Sequence, residues 1–166
     1  MDAILERRSI RRYKDKKVEE SKVTEILKAA MSAPSAGNQQ PWHFIVIDEP
    51  NILNEIPKFH PYSTMLKGAA LAILVCGDET KEKHKGYWVQ DCSAATQNIL
   101  IALQYSGLGG VWLGIYPREE RVTGLRKLLG VPSHIIPFSL VSIGYPAEEK
   151  APADRYDPER IHINKW

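Results

Sequence analysis

The sequence predicts one domain of mixed helix and strand built round a buried sheet, and three observations point to it. Helical and strand-like patterns alternate along the chain, residues 70–76 (ALAILVC) are apolar throughout, and residues 87–106 carry a long helical pattern rich in small apolar side chains. A run without polar alternation fits a strand buried on both faces, so 70–76 is expected at the centre of the sheet. With 166 residues, 43% of them hydrophobic, the chain can bury one sizeable core and is too short for two ordinary domains.

Along the chain, Asp2 can cap a short helix reaching Arg7. A second helix is expected over 21–31, with Val23, Ile26, Leu27 and Ala30 on one face and Pro34 and Gly37 beyond its end. Residues 42–48 (WHFIVID) read as a buried strand, and Pro50 suits the first turn of a short helix reaching about residue 58. A loop over 60–64 leads to the apolar strand. In the helix over 87–106, Ala94, Ala95, Ile99, Leu100, Ala102 and Leu103 make a surface wide enough for burial from several sides, and Gly107 ends it. A short strand over 110–114, a helix over 119–129 stopped by Gly130 and a last buried strand over 138–145 complete the pattern. Alternation of this kind, taken alone, suggests a parallel sheet. Residues 147–166 are polar and proline-punctuated, with Tyr156, Ile161, Ile163 and Trp166 as spaced apolar anchors, which fits an arm lying on another surface such as a second subunit.

Charge excludes some classes of function. The net charge of +2, from 22 basic and 20 acidic residues, carries no global polyanion-binding signature, although seven basic residues crowd positions 7–17 against the single acid Asp15. Nucleic acid is therefore not the expected partner. The start lacks the apolar core of a signal peptide and the longest apolar run, 68–77, is too short to span a bilayer, so a soluble cytoplasmic protein is expected. Cys76 and Cys92 read as buried thiols, and the five histidines show no metal-ligand spacing. Asp91, on the long helix, is expected to hydrogen-bond or cap something structural.

Three segments could carry chemistry. Arg7, Arg8 and Arg11 flank Ser9, offering guanidinium forks and a hydroxyl suited to a phosphate. Pro34 and Gly37 shape a tight loop in which Asn38, Gln39 and Gln40 supply donors and acceptors for the edge of a polar heterocycle. Residues 107–114 (GLGGVWLG) fail the dinucleotide fingerprint, because Trp112 occupies the sixth position and the segment leads from helix to strand; a close approach of backbone to a flat ligand remains. With no protein nucleophile in evidence, cofactor chemistry is the natural reading.

In order, RRS-x-R at 7–11, APSAGNQQPWHF at 33–44, a buried strand, WVQD at 88–91 opening an alanine-rich helix, GLGGVWLG at 107–114 and GYP at 144–146 resemble the FMN-dependent nitroreductase family, particularly its short members. The resemblance extends from residue 1 to about 156. It implies an α+β fold whose central sheet is largely antiparallel and flanked by helices, in place of the parallel sheet suggested by alternation. It also implies an intertwined homodimer of single-domain chains (1–166), with FMN at the interface and the C-terminal arm (146–166) exchanged between partners.

Position by position, the resemblance makes Arg7, Ser9 and Arg11, with Arg8 between them, binders of the FMN phosphate and ribityl chain, joined by Lys150 and Arg155 near the C-terminus. Pro34, Ser35 and Ala36 would lie against the isoalloxazine from the partner subunit, with Asn38 and Gln40 as its polar readers. The backbone of Gly110, Val111, Trp112, Leu113 and Gly114 would approach the ring, and Ser63 and Met65 are candidates just before the second strand. No side chain is assigned a catalytic role of its own. The implied activity is ping-pong transfer from NADH or NADPH through FMN to an electron-poor acceptor such as a nitroaromatic or a quinone. Alternatives are specialised flavin chemistry (dehalogenation or flavin fragmentation) and a non-catalytic flavin-binding module. Only about ten residues, 78–87, separate the second strand from the long helix, so any lid over the ring is small.

Overall fold

The computed structural model describes residues 2–166, and in it four strands make one sheet in the order β1-β2-β4-β3. These are β1 (Trp42–Ile47), β2 (Leu71–Asp78), β3 (Gly109–Gly114) and β4 (Ile135–Gly144), and every neighbouring pair is antiparallel. Five helices surround it: α1 (Asp2–Glu6), α2 (Glu20–Met31), α3 (Pro50–Glu55), α4 (Trp88–Tyr105) and α5 (Glu119–Leu129). The α+β expectation holds, and the parallel arrangement does not. Ile47 pairs with Ala72, so the connection through α3 leaves β1 and enters β2 at the same end of the sheet instead of crossing it.

The apolar run does occupy the interior of the sheet, with every residue of β2 buried between β1 and β4. Its side chains alternate between two cores. Ile73 and Val75 join α2 and α4 residues such as Ile26, Cys92 and Ile99, while Ala72, Leu74 and Cys76 face Leu53 of α3 and Leu125 of α5. α4 touches α1, α2 and all four strands, which is what its width of small apolar residues allows. Cys76 and Cys92 are both buried, and burial pushes the Cys76 thiol up to about 12, so neither is primed as a nucleophile.

The last strand starts earlier than its sequence suggests. Pro137 discourages a strand before Phe138, but a bulge opposite Val75 and Cys76 takes the proline into the ladder and β4 begins at Ile135. Gly110 is required by close packing rather than by a turn: a Cβ there would sit 2.5 Å from the Ser142 carbonyl oxygen and 2.7 Å from Leu103 Cδ1. Gly110 thus lets β3 approach the end of α4. Among the described residues no helix is long and apolar enough to cross a membrane. Tyr156, Ile161, Ile163 and Trp166 remain exposed in the tail, leaving its apolar anchors uncovered by this chain.

Candidate functional site

Beyond α1 the chain runs extended along the open edge of β3. Ser9 forms a parallel bridge with Gly110, and Ile10 N–H donates to the Gly110 carbonyl at 3.0 Å. Ile10 is buried, and extended alternation leaves Ser9 and Arg11 on the opposite side. The segment that follows β4 then returns along residues 8–14. Lys14 N–H donates to Tyr145 O at 2.8 Å, Ala147 N–H to Arg12 O at 2.9 Å, and Arg8 Nε to Ala151 O at 2.8 Å. Lys150 Nζ donates to Ser9 O at 2.5 Å. Arg155 lies near Arg7, so the sequence-predicted phosphate residues from the two ends of the chain do converge.

The arginines here, Arg7, Arg8, Arg11 and Arg155, are left without an ion pair among the described residues. Burial, then Arg155 and Arg8, hold the Arg7 guanidinium below its ordinary pKa. Arg8 Nη2 is buried without a hydrogen-bond partner. A buried guanidinium N–H lacking an acceptor, inside a cluster of like charges, is an arrangement that a multivalent oxyanion stabilises.

Glu148 fixes the strap that carries these cations. Its Oε1 accepts from Arg11 N–H at 2.6 Å and Arg12 N–H at 3.2 Å, and lies 3.4 Å from Lys150 Nζ. Those backbone donors, with Lys150, hold its pKa below the usual 4.5. A depressed carboxyl stabilises the fold above its unfolded pKa and loses that contribution as pH falls through the folded one. Acidification below about pH 4.5 is therefore expected to loosen residues 145–151 before the sheet, measured as early amide exchange there that Glu148→Gln already shows at neutral pH.

Because Gly110 O faces outward to Ile10, alternation turns the peptide groups of Trp112 and Gly114 outward too. Gly114 O accepts from His60 Nε2 at 3.1 Å and from Arg121 Nη1 at 2.7 Å, while the peptide group of Trp112 has no partner of this kind among the described residues. Val111 and Leu113 bury their side chains below the strand. The result is a cleft of about 410 Å³ lined by Arg11, His60, Pro61, Tyr62, Thr64, Trp112, Leu113, Gly114 and Arg121. His60 is buried, and burial together with Arg121 lowers its pKa, favouring the neutral ring.

The amide loop is elsewhere. Residues 36–38 form a 3₁₀ turn, and Gly37, Asn38 and Gln40 have φ of 54°, 54° and 47°, the left-handed region that non-glycine residues seldom occupy. Asp91 holds this shape, as its position on the helix implied. Its Oδ1 accepts from Ala36 N–H at 3.0 Å and its Oδ2 from Gln39 Nε2 at 2.6 Å, while Gln39 Oε1 accepts from Lys83 N–H at 2.9 Å and His84 N–H at 3.2 Å. Gln39 is thus a structural strut, whereas Asn38 and Gln40 are exposed and hydrogen-bond each other at 3.0 Å. Pro34, Ser35 and Ala36 line a separate cleft of about 360 Å³ with Tyr87, Gln90, Asp91 and Ala94.

Within one chain the loop and the arginine segment do not meet. Asp91 and Leu103 mark their positions on α4, about 18 Å apart at 1.5 Å per residue. Ser63 requires a correction: it is fully buried, with its hydroxyl donating to His60 O at 2.8 Å, and neither it nor Met65 lines the cleft, where Thr64 does. Sequence reasoning missed His60, Tyr62 and Arg121, each a lone residue brought to Gly114 only by the fold.

Comparison with known proteins agrees with this architecture. The model of the nitroreductase family matches residues 4–63 and 54–145. A Methanothermobacter thermautotrophicus relative bearing the name "Putative NADH dehydrogenase/NAD(P)H nitroreductase" is 52% identical over 100% of this chain and 87% of its own length. An FMN-dependent nitroreductase from Clostridium difficile is 34% identical, with a TM-score of 0.92 and 100% of both chains covered. A Desulfovibrio desulfuricans chain solved in complex with FMN is 32% identical, with a TM-score of 0.84 over 99% of this chain and 96% of that one. With the match spanning both chain-end segments and the whole sheet, the chain belongs to the nitroreductase family.

Proposed function

We propose that this chain is an FMN-dependent NAD(P)H oxidoreductase that transfers electrons by a ping-pong route to an electron-poor acceptor such as a nitroaromatic or a quinone. The observation that carries it is the guanidinium cluster, without an ion pair among the described residues and with Arg8 Nη2 orphaned, set beside the open edge of β3. FMN's phosphate fits that donor set. Arg7, Arg8, Ser9 and Arg11 would hold it, with Lys150 and Arg155 closing from the C-terminal side.

FMN, when bound, supplies acceptance of a hydride from NAD(P)H and its delivery to the second substrate. The protein's contribution is to hold and bias that chemistry. Gly110, Val111, Trp112, Leu113 and Gly114 would offer the ring a flat backbone edge with the Trp112 peptide group unused, and a donor there would favour the negative charge that reduction leaves on the ring. His60, kept neutral, and Arg121 fix the Gly114 carbonyl and with it the end of that edge.

Because the loop bearing Pro34, Ser35, Ala36, Asn38 and Gln40 stands apart from the arginine segment of its own chain, it is assigned to the site of a second copy. The unit is then a homodimer of single-domain chains (1–166) in which the arm 146–166, held on its own chain through Ala147 and Ala151, reaches the partner with exposed Tyr156, Ile161, Ile163 and Trp166. A cytoplasmic location suits a reduced nicotinamide donor.

The test is direct. Purified protein should show a flavin spectrum, release FMN on denaturation, migrate as a dimer, and bleach on stopped-flow mixing with NADH or NADPH before any acceptor is added. A protein that neither carries nor takes up FMN sinks the assignment.

A further inference from the structure

The cleft at the end of β3 holds one cation whose remaining donors the cofactor assignment leaves uncommitted. Arg121, on the first turn of α5, spends Nη1 on Gly114 O at 2.7 Å; its other guanidinium donors have no partner among the described residues. Glu119 and Glu120 share that turn, yet neither forms an ion pair with it among the described residues. No carboxylate lines the cleft. Tyr62, largely exposed, sits 5.6 Å from the Arg121 guanidinium, while Trp112 borders the cleft with its ring packed 6.1 Å from Phe138. Burial and Arg121 hold the His60 pKa below its ordinary value, which favours the neutral ring beneath them.

We propose that this cleft selects aromatic acceptors carrying an anionic substituent, with Arg121 reading the charge and Tyr62 walling the ring. The inference rests on the FMN oxidoreductase assignment and extends it to a substrate class. Arg11, the other cation of the cleft, belongs to the phosphate group in that assignment. Arg121 is therefore the residue whose charge remains for a second ligand. A guanidinium with free donors beside an aromatic side chain binds a carboxylate-bearing ring through charge-assisted hydrogen bonds and ring contact together. A cationic ring in the same place meets repulsion without an acid to relieve it.

The experiment uses the holoenzyme with three acceptors that differ in charge: nitrobenzene, 4-nitrobenzoate and 4-nitrobenzyltrimethylammonium. The ratio of kcat/KM for the anion to that for the cation is compared between wild type and Arg121→Gln, which cancels their intrinsic difference in reducibility. That ratio is expected to fall about 10- to 100-fold in Arg121→Gln, the scale of one charge-assisted hydrogen bond, and to be largely retained in Arg121→Lys. Calorimetric titration with benzoate gives a readout apart from turnover: binding is expected in wild type and about tenfold weaker or lost in Arg121→Gln.

A ratio unchanged in both variants overturns the proposal, as does a rise in the KM for NAD(P)H with the acceptor ratio intact, which would give Arg121 to the donor. A protein that lacks flavin but binds benzoate through Arg121 overturns the cofactor assignment and keeps the anion site. One that turns over normally and is blind to acceptor charge does the reverse.

Discussion

Exchanging Arg7 and Arg155 for glutamine together is expected to weaken FMN binding by about 10²- to 10⁴-fold while leaving the cofactor-free protein slightly more stable than wild type. The loss follows from two charge-assisted hydrogen bonds at about 1.5–3 kcal/mol each. The opposite sign for stability follows from the geometry: Arg7 is pressed below its ordinary pKa partly by Arg155, and none of the cluster is in an ion pair among the described residues. Relieving that repulsion at a largely exposed site is worth a few tenths of a kcal/mol to about 1 kcal/mol. Fluorescence titration with FMN and thermal melts of the cofactor-free protein separate the two effects. Unimpaired FMN binding in the double variant would remove the phosphate role from these residues.

Asp91→Ala is expected to destabilise the fold by roughly 2–5 kcal/mol, the cost of leaving two donors, Ala36 N–H and Gln39 Nε2, without their acceptor. Asp91 is buried, and both groups that it receives, Ala36 N–H and Gln39 Nε2, are donors. Asp91→Asn can satisfy only one of them. Flipping Gln39 offers no escape, because its Oε1 already accepts from the Lys83 and His84 amides and a flip would set donors against donors. The asparagine variant should therefore recover less than half of the lost stability in urea unfolding followed by tryptophan fluorescence. Wild-type stability in Asp91→Asn would contradict this account of the loop.

What could be seen in the sequence was whatever local pattern controls. The apolar residues 70–76 announced a strand buried on both faces, and Arg7, Arg8 and Arg11 announced a local cluster of cations, because both depend on neighbours in the chain. The antiparallel order depends instead on where a connection re-enters, and came from the family resemblance. Pro137 concealed the first residues of β4 because the bulge that tolerates it involves β2. Gln39, Asn38 and Gln40 are indistinguishable as letters, yet Asp91, from more than fifty positions away, makes the first a strut and leaves the others free. Ser63 looked available for the same reason, and only its bond to His60 O removes it.

The strap joining residues 8–14 to 145–151 has a consequence for the order of events in the cell. Arg8 and Ala151, bonded to each other, are separated by 143 positions, so the cationic cluster needs both segments, with everything between them, before it exists. During synthesis the amino-terminal arginines emerge early and wait without their partners. A chain interrupted before residue 150 could still pair β1, β2, β3 and β4, since β4 ends at Gly144, but would lack Lys150 and Arg155. Acquiring the cofactor would then report that synthesis has passed residue 155, with chains stopped before it left colourless.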